Sequence, residues 1–236
     1  LALHNYASKY GSFPPAFTLD AQGKPMHSWR VLLLPFLEQQ SVYDEYAMDE
    51  PWDGPNNRQL LQRMPRVYQC LTNASPNFET GYCVVVGERT CFPPHGARRL
   101  SDITDGPSNT LAIVETKQTV PWMEPRDLSL EQFKQEATSW GPNNLPPHFH
   151  SDTFTHYYTG GSLGMADGSI YYFGRQKEGA LWDKLLQIDD GALTVSEASE
   201  LLNFSSGSSN RARPEGYLAL AAFLTLVFLP AFWLRK

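Results

Sequence analysis

The sequence predicts an α+β fold in which helices pack on an antiparallel β-sheet, with a transmembrane helix added at the C-terminus. Three observations lead to this prediction. Helical patterns fill the start of the chain, short β-branched runs lie in its middle and later thirds, and an uncharged apolar run lies near its C-terminus. Helices followed by strands, rather than strands alternating with helices, are typical of an α+β domain with an antiparallel sheet.

Four segments carry helical signals. Residues 28–46 predict a helix with a kink at Pro35, because proline removes a backbone hydrogen bond from a helix interior. A short helix is expected over residues 56–64. The apolar spacing in residues 178–188 predicts another, and a polar first turn starts a further short helix over residues 196–202.

Three segments carry strand signals. Residues 82–87 and 110–115 are short runs of β-branched and apolar residues between turn residues. In residues 162–173, Asp167-Gly168 lies between two apolar segments, which predicts a hairpin with a two-residue type I′ turn. The strands that this turn joins are expected to include residues 163–166 and 170–173.

The C-terminal apolar run predicts a membrane span. Residues 217–234 read YLALAAFLTLVFLPAFWL and contain no charge. As a helix they would be about 27 Å long, close to the thickness of the hydrocarbon layer. Tyr217 and Trp233 stand at the two ends, where aromatic residues meet the membrane interface. The chain therefore divides into an extracytoplasmic domain (1–204), a flexible linker (205–216) and a transmembrane helix (217–234).

Composition and cysteine usage set further limits. The formal net charge is −6, and no basic stripe interleaved with aromatic residues is present, which disfavours nucleic-acid binding. Cys83 and Cys91 form a disulfide in one interpretation, which leaves Cys70 unpaired. In the other interpretation all three cysteines are buried thiols.

Six ordered blocks in the chain resemble one family, the prepilin-like proteins of the domain of unknown function 1559 group. The blocks occupy residues 1–15, 27–39, 49–57, 103–115, 120–128 and 165–173. The resemblance covers about residues 1–190. It implies a pilin-like helix packed on an antiparallel sheet, on the side of the membrane away from the cytoplasm. It does not imply an established activity.

The resemblance carries further expectations. Family members usually begin with a type IV pilin-type hydrophobic helix that continues into a segment like LALHNY, so this chain resembles the part that follows such a helix. The expected partners are the membrane and other pilin-like or secretion-system subunits. One departure concerns a late family motif of His, nine residues and Asp-Gly. Here ten residues separate His156 from Asp167, and Tyr157 takes the strict position. A second departure is the C-terminal apolar segment, which with Pro214-Glu215 before it and a basic end after it loosely resembles a bacterial C-terminal sorting signal, the alternative to a plain anchor.

A histidine-rich segment is one candidate metal site. Two histidines in a His-x-His pattern share one face of an extended chain, and a nearby carboxylate suits zinc or a similar ion. The two prolines before the segment and the lack of a strand signal argue instead for a polar loop. The candidate ligands are His148, His150, Asp152 and His156.

The Asp-Gly-Pro-Ser-Asn segment is a candidate calcium site. Asp102, Asp105 and Asn109 place oxygen ligands around one glycine turn, and hard cations prefer such ligands. The spacing of an EF-hand is absent. The alternative, which we favour, is that Asp105 and Asn109 fix the backbone between this loop and the strand that follows.

The sequence favours a structural or assembly component of the bacterial cell envelope. It contains no G-x-S-x-G, HExxH or phosphate-binding glycine motif, so an enzyme is not expected. The first rival is a surface module that presents its loops to a carbohydrate, peptide or wall polymer. One use of Trp29, Trp122 and Trp140 is an aromatic binding face, but core and interface packing is the use we favour for them. The second rival is a metal-dependent hydrolase built on the histidine-rich segment.

Overall fold

The structure is a computed structural model that describes residues 1–70, 77–139, 148–150, 158–173 and 179–191. Within these ranges the α-helices are Ala2–Tyr10 (α1), Trp29–Leu32 (α2), Gln40–Glu45 (α3), Leu130–Ser139 (α4) and Gly179–Leu186 (α5). The strands are Phe17–Leu19 (β1), Pro25–Ser28 (β2), Glu79–Cys83 (β3), Val85–Val86 (β4), Leu111–Pro121 (β5), Leu128–Ser129 (β6), His148–His150 (β7), Tyr158–Met165 (β8) and Ile170–Phe173 (β9). Short 3₁₀ helices cover Leu34–Leu37, Asn57–Arg63, Arg66–Tyr68 and Leu100–Asp102.

The main sheet is antiparallel, as the sequence predicts. Its strand order is β3-β5-β8-β7, and β9 also pairs with β8. A separate antiparallel pair joins β1 to β2, and the small pair of β4 with β6 is parallel. The fold is therefore mixed α and β with antiparallel sheets.

The helix predicted over residues 28–46 is interrupted. The chain forms α2, then the 3₁₀ helix Leu34–Leu37 around Pro35, then α3. Glu38 ends the 3₁₀ helix with a φ of 59°, in the left-handed region. Proline cannot donate the backbone hydrogen bond of a continuous helix, and a left-handed residue ends one. The expected kink is thus a full break.

The other predicted elements are found with altered bounds. The 56–64 helix is the 3₁₀ helix Asn57–Arg63, and the 178–188 helix is α5. The strand predicted over residues 82–87 is split between β3 and β4, whereas β5 continues six residues beyond the predicted 110–115 strand. The 196–202 helix and the 217–234 span lie outside the described residues. Inside them, no helix combines the length and apolar character needed to cross a membrane.

The predicted hairpin is present, but the predicted type I′ turn is wrong. Gly168 donates to the carbonyl of Met165 (3.0 Å), and Met165 donates to the carbonyl of Ser169 (2.9 Å). Gly168 has a φ of 91°, whereas Asp167 is not among the positive-φ residues. Type I′ needs positive φ at both central residues, so this is a three-residue loop with a type I turn and a glycine bulge.

Two hydrophobic clusters form the core. The first lies under α1 and α2 and includes Phe13, Trp29, Phe92 and Trp122. The second fills the space between the sheet and the helices α4 and α5, and its largest members are Phe133, Trp182, Leu185 and Leu186. Aromatic and aliphatic side chains of this size contribute most of the free energy that stabilises a domain.

The cysteines are buried thiols, which confirms the second interpretation of their pattern. All three side chains are buried, and none of Cys70, Cys83 and Cys91 forms a disulfide. Burial raises the pKa of the Cys83 and Cys91 thiols to about 12, against the smaller opposing effect of nearby arginines. Thiols with so high a pKa hold little of the reactive thiolate, so these two side chains act as small core residues.

Candidate functional site

A fully buried ion pair joins two of the sequence blocks. Arg30, the second residue of α2, places its guanidinium Nη2 2.8 Å from Oδ1 of Asp127, and both side chains are 0% exposed. The same Oδ1 accepts hydrogen bonds from the Trp29 indole (3.1 Å) and the Val84 backbone N–H (2.9 Å). Asp127 thus links α2 to the chain at the start of β4.

The guanidinium of Arg30 is satisfied on its remaining sides. It donates twice to the carbonyl of Tyr82, at 3.0 and 2.8 Å, and once to the hydroxyl of Ser28 at 2.8 Å. It also lies 4.8 Å from the Trp29 ring centre. Burial is the largest single influence on Arg30 and lowers its pKa, but the Asp127 carboxylate and smaller contributions from Cys83 and Tyr68 together outweigh it and raise the pKa of the guanidinium. Because its partners all lie inside the domain, the buried guanidinium fixes the position of α2 relative to β3 and Asp127.

A buried histidine lies at the edge of the same region. His27 donates from Nε2 to the carbonyl of Met48 (3.0 Å), because a carbonyl can only accept. Its Nδ1 then accepts from the Tyr46 hydroxyl (2.9 Å). Burial lowers the pKa of His27, and the Met48 carbonyl only partly opposes this. The imidazole therefore ties β2 to the chain after α3 in its neutral form.

Asn57, at the end of the sequence block of residues 49–57, holds the turn that precedes it. Its side chain is buried and bonds both the N–H and the carbonyl of Ala47, each at 2.8 Å. It also donates to the carbonyls of Glu50 (3.3 Å) and Pro51 (3.1 Å). One amide thus satisfies four backbone groups of a turn, which stabilises the turn.

The candidate calcium ligands have separate partners. Asp102 accepts from the Arg99 N–H (3.0 Å), and the Asn109 amide donates to the carbonyl of Asp105 (2.8 Å). The Asp105 carboxylate accepts from the N–H groups of Asp190 (2.8 Å) and Gly191 (3.1 Å). Asn109 therefore supports its own loop, while Asp105 holds a segment 85 residues away in sequence.

Further hydrogen bonds support the contact between Asp105 and residues 190–191. The Asp105 N–H and the Thr104 hydroxyl both donate to the carbonyl of Ile188, at 3.0 and 2.9 Å. Partial burial, a hydrogen bond to the Asp105 carboxylate and the negative charge of that group together raise the pKa of Asp190. The loop and the chain after α5 therefore form one hydrogen-bonded unit.

The histidine-rich segment is described only in part. His148 and His150 lie in β7, whose backbone pairs with β8 in the register His148↔Gly160 and His150↔Tyr158. The absence of a strand, which we inferred from the sequence, is wrong, because pairing with β8 extends this backbone. Asp152 and His156 lie outside the described residues. No group of three or more metal-binding side chains occurs in the part that is described.

The aromatic residues at the surface differ from those expected. Trp29 and Trp122 are buried in the core, and Trp140 lies outside the described residues. The core packing favoured from the sequence is therefore confirmed for these two, and the alternative of an aromatic binding face is wrong for them. Their indole N–H groups bond Asp127 and the carbonyl of Leu61, so both ends of each side chain are internal.

A surface aromatic cluster lies instead on α1. Tyr6 and Tyr10, one helical turn apart, have ring centres 4.5 Å apart, and Phe36 packs edge-on against both at 5.6 and 6.2 Å. The Lys9 ammonium lies 5.1 Å from the Tyr10 ring centre. Burial, followed by the charges of Tyr10 and Tyr43, raises the pKa of Tyr6. We call Tyr6, Tyr10, Phe36 and Tyr43 the α1 aromatic cluster.

Comparison with known proteins identifies the family. A family model described as "Protein of unknown function (DUF1559)" matches residues 1–178. The chain belongs to this family. No curated protein and no solved structure matches it. The DUF1559 match thus confirms the family that the six sequence blocks indicate, and it ends one residue before α5.

The buried ion pair of this DUF1559 chain, Arg30 with Asp127, was not predicted from the sequence. Arg30 and Asp127 each stand in a resembling block, 97 positions apart. A signal was present at Arg30, a charged residue inside the apolar run of residues 28–34, where an unpaired charge would be costly. Asp127 directly follows Arg126 and gave no such signal. What the sequence does not supply is the pairing itself. Only the fold brings the two blocks together.

Proposed function

We propose that this chain is the extracytoplasmic domain of a membrane-anchored, pilin-like structural or assembly component of the bacterial cell envelope. The observation that carries the proposal is the placement of α1. This helix lies on the outside of a domain built on an antiparallel sheet, and no residue of α1 is fully buried. Its inner residues Ala2, Leu3 and Ala7 pack against the core, while Lys9 and Tyr10 face outward.

The use of the motif side chains supports a structural role. Arg30, Asp127, Asn57 and Asp105 come from four different sequence blocks, and each makes its hydrogen bonds within the domain. Side chains that serve a reaction or a ligand are instead directed into a cleft. The uncharged run at residues 217–234 provides the proposed anchor.

Fractionation of cells that express the natural gene tests this function. The full-length protein should remain in the membrane pellet after a carbonate wash, and deletion of residues 216–236 should release it. If the full-length protein is soluble, the anchor is wrong. If the deletion variant stays in the pellet, residues 216–236 are not its only anchor.

Cysteine labelling tests the side of the membrane and the assembly. Ala21→Cys, in the exposed β1–β2 turn, should react in intact spheroplasts with a maleimide that cannot cross membranes.

Ser8→Cys, on the outer side of α1, should form bismaleimide cross-links to pilin-like subunits more often than Ala21→Cys does. Labelling only after lysis contradicts the extracytoplasmic location, and equal cross-linking contradicts assembly through α1.

A surface binding module is the second candidate, and the α1 aromatic cluster is the observation that favours it. Tyr10 is more than half exposed, and an accessible ring beside a lysine suits stacking on a saccharide. If binding is the function, Tyr10→Ala should abolish binding to wall polysaccharide and leave the melting temperature unchanged. Unchanged binding contradicts this candidate.

A further inference from the structure

Three parts of the chain meet at one end of the domain, which we call the exit pole. They are the loop of residues 103–109, the β8–β9 turn and the exit segment of residues 188–191. Asp167 and Ala166 in the turn donate to the carbonyls of Pro107 (3.0 Å) and Thr110 (2.8 Å). The Asp105 carboxylate, in the same loop, binds the exit segment.

The exit segment is fastened on its other side as well. Ile188 donates to the carbonyl of Arg89 (2.9 Å), and the Arg89 guanidinium pairs with the Asp189 carboxylate at 2.7 Å. The chain therefore leaves the described domain at a fixed place. From there, residues 192–216 lead to the apolar run at 217–234. The linker predicted over residues 205–216, as a flexible chain, would span about 19 Å on average, which is shorter than the diameter of about 40 Å expected for the domain.

Exposed apolar side chains stand at the same pole. Ile170 and Tyr171 begin β9 directly after the β8–β9 turn, and they are 65% and 40% exposed. Large apolar side chains next to a membrane tether are suited to the lipid interface, where aliphatic and aromatic groups enter the headgroup layer. Two exposed carboxylates of this pole have partners within the protein, since Asp167 binds Ser169 and Asp189 binds Arg89.

We propose that the exit pole faces the membrane and that Ile170 and Tyr171 contact the lipid interface. This inference rests on the proposed function, because it requires residues 217–234 to be the anchor. The Asp105 clamp then has a defined consequence for the whole molecule. It fixes the point from which the tether leaves, and so it sets which side of the domain lies against the bilayer.

The opposite end of the sheet provides a matched control. β5 begins beside the exit pole, where Leu111 pairs with Met165, and ends at Pro121, which pairs with Glu79. Eleven strand residues span about 33 Å. Phe78, next to Glu79, is 39% exposed and so matches Tyr171 in residue type and exposure.

The experiment uses the full chain reconstituted into phosphatidylcholine vesicles that contain a spin-labelled phosphatidylcholine. Tyr171→Cys and Phe78→Cys each carry an environment-sensitive fluorophore, and the unsubstituted chain controls for labelling of its buried cysteines. On reconstitution, emission from position 171 should shift to shorter wavelength and be quenched by the spin-labelled lipid. Emission from position 78 should change little.

The other outcomes are distinct. Equal quenching at the two positions, or none at position 171, overturns the membrane-facing pole while vesicle flotation still supports the anchor. A shift at position 171 that grows with protein density and is not quenched by the lipid also overturns it, because the pole then contacts a second copy. If the chain does not float with the vesicles, the anchor fails, and with it the proposed function.

Discussion

At the scale of single residues, the charged and polar side chains of the sequence blocks stabilise the fold. The residues that join distant parts of the chain are a buried charge pair, a neutral histidine and an aspartate clamp. The charge pair and the histidine satisfy groups that would otherwise be buried without partners, which is costly in a protein interior. The aspartate clamp instead holds two exposed backbone N–H groups. These residues therefore give the sharpest tests of the structure.

The Arg30–Asp127 pair should be strongly coupled to stability. Asp127→Ala leaves the guanidinium buried without its counter-charge and should lower the free energy of unfolding by about 3–5 kcal/mol. The matched control is Glu45→Gln, which breaks the partly exposed pair with Arg63 and should cost less than about 1 kcal/mol. Urea unfolding followed by circular dichroism measures both. Equal losses would show that burial of the first pair is wrong.

His27 predicts a pH dependence of stability. Its folded pKa lies below the unfolded value of about 6.5, so near that pH the unfolded chain binds more protons. Stability should therefore decrease as the pH falls through about 6.5, until the folded pKa is reached. In His27→Gln, an amide can bond Met48 and Tyr46 without titrating, so the curve should be flatter between about pH 5.5 and pH 8. Parallel curves would contradict the buried neutral imidazole.

Asp105 separates the structural interpretation of its loop from calcium binding. Asp105→Ala removes the acceptor of two backbone N–H groups and should lower stability by roughly 1–2 kcal/mol. Added calcium should leave the melting temperature of the intact protein unchanged. A ligand that binds only the folded state raises that temperature. A calcium-dependent rise that disappears in Asp105→Ala would make this loop a cation site.

At the scale of elements, most of the predicted elements that the structure describes form where the sequence places them, although α4 and the strands β1, β2, β6 and β7 were not predicted. The lengths of the elements depend on contacts between them. β5 extends beyond its β-branched run because its later part pairs with β3, where Val120 and Pro121 lie opposite Thr80 and Glu79. The helix predicted over residues 28–46 breaks around Pro35, because proline cannot donate a backbone hydrogen bond and Glu38 adopts a left-handed φ. Element bounds thus respond to neighbours that are distant in sequence.

The β8–β9 turn gives a test at this scale. In a type I′ turn Asp167→Gly would stabilise the hairpin, because glycine adopts positive φ at little cost. In the observed turn Asp167 does not have positive φ and its carboxylate accepts from Ser169, so the substitution should destabilise by about 1 kcal/mol. Thermal unfolding measures the sign. Ser169→Ala, which removes only the hydroxyl bond, is the control and should have a smaller effect.

At the scale of the whole molecule, the folded unit is longer than the family match. The match ends at residue 178, yet α5 follows it and places Trp182, Leu185 and Leu186 in the second core cluster. A chain that ends at residue 178 should therefore show no cooperative thermal transition. Losing one such side chain costs about 2–5 kcal/mol, and a domain holds only about 5–15 kcal/mol. A chain that ends at residue 191 is the control and should unfold cooperatively.

The sequence by itself determined the family, the antiparallel α+β class, the hairpin at residues 162–173 and the helix that became α5. These depend on local periodicity, turn residues and ordered blocks, all of which are written along the chain. The tertiary structure alone decided that Arg30 meets Asp127 and that Asp105 holds Asp190 and Gly191. The physical reason is that these contacts join residues 85 to 97 positions apart, and only the packed core sets which of them become neighbours.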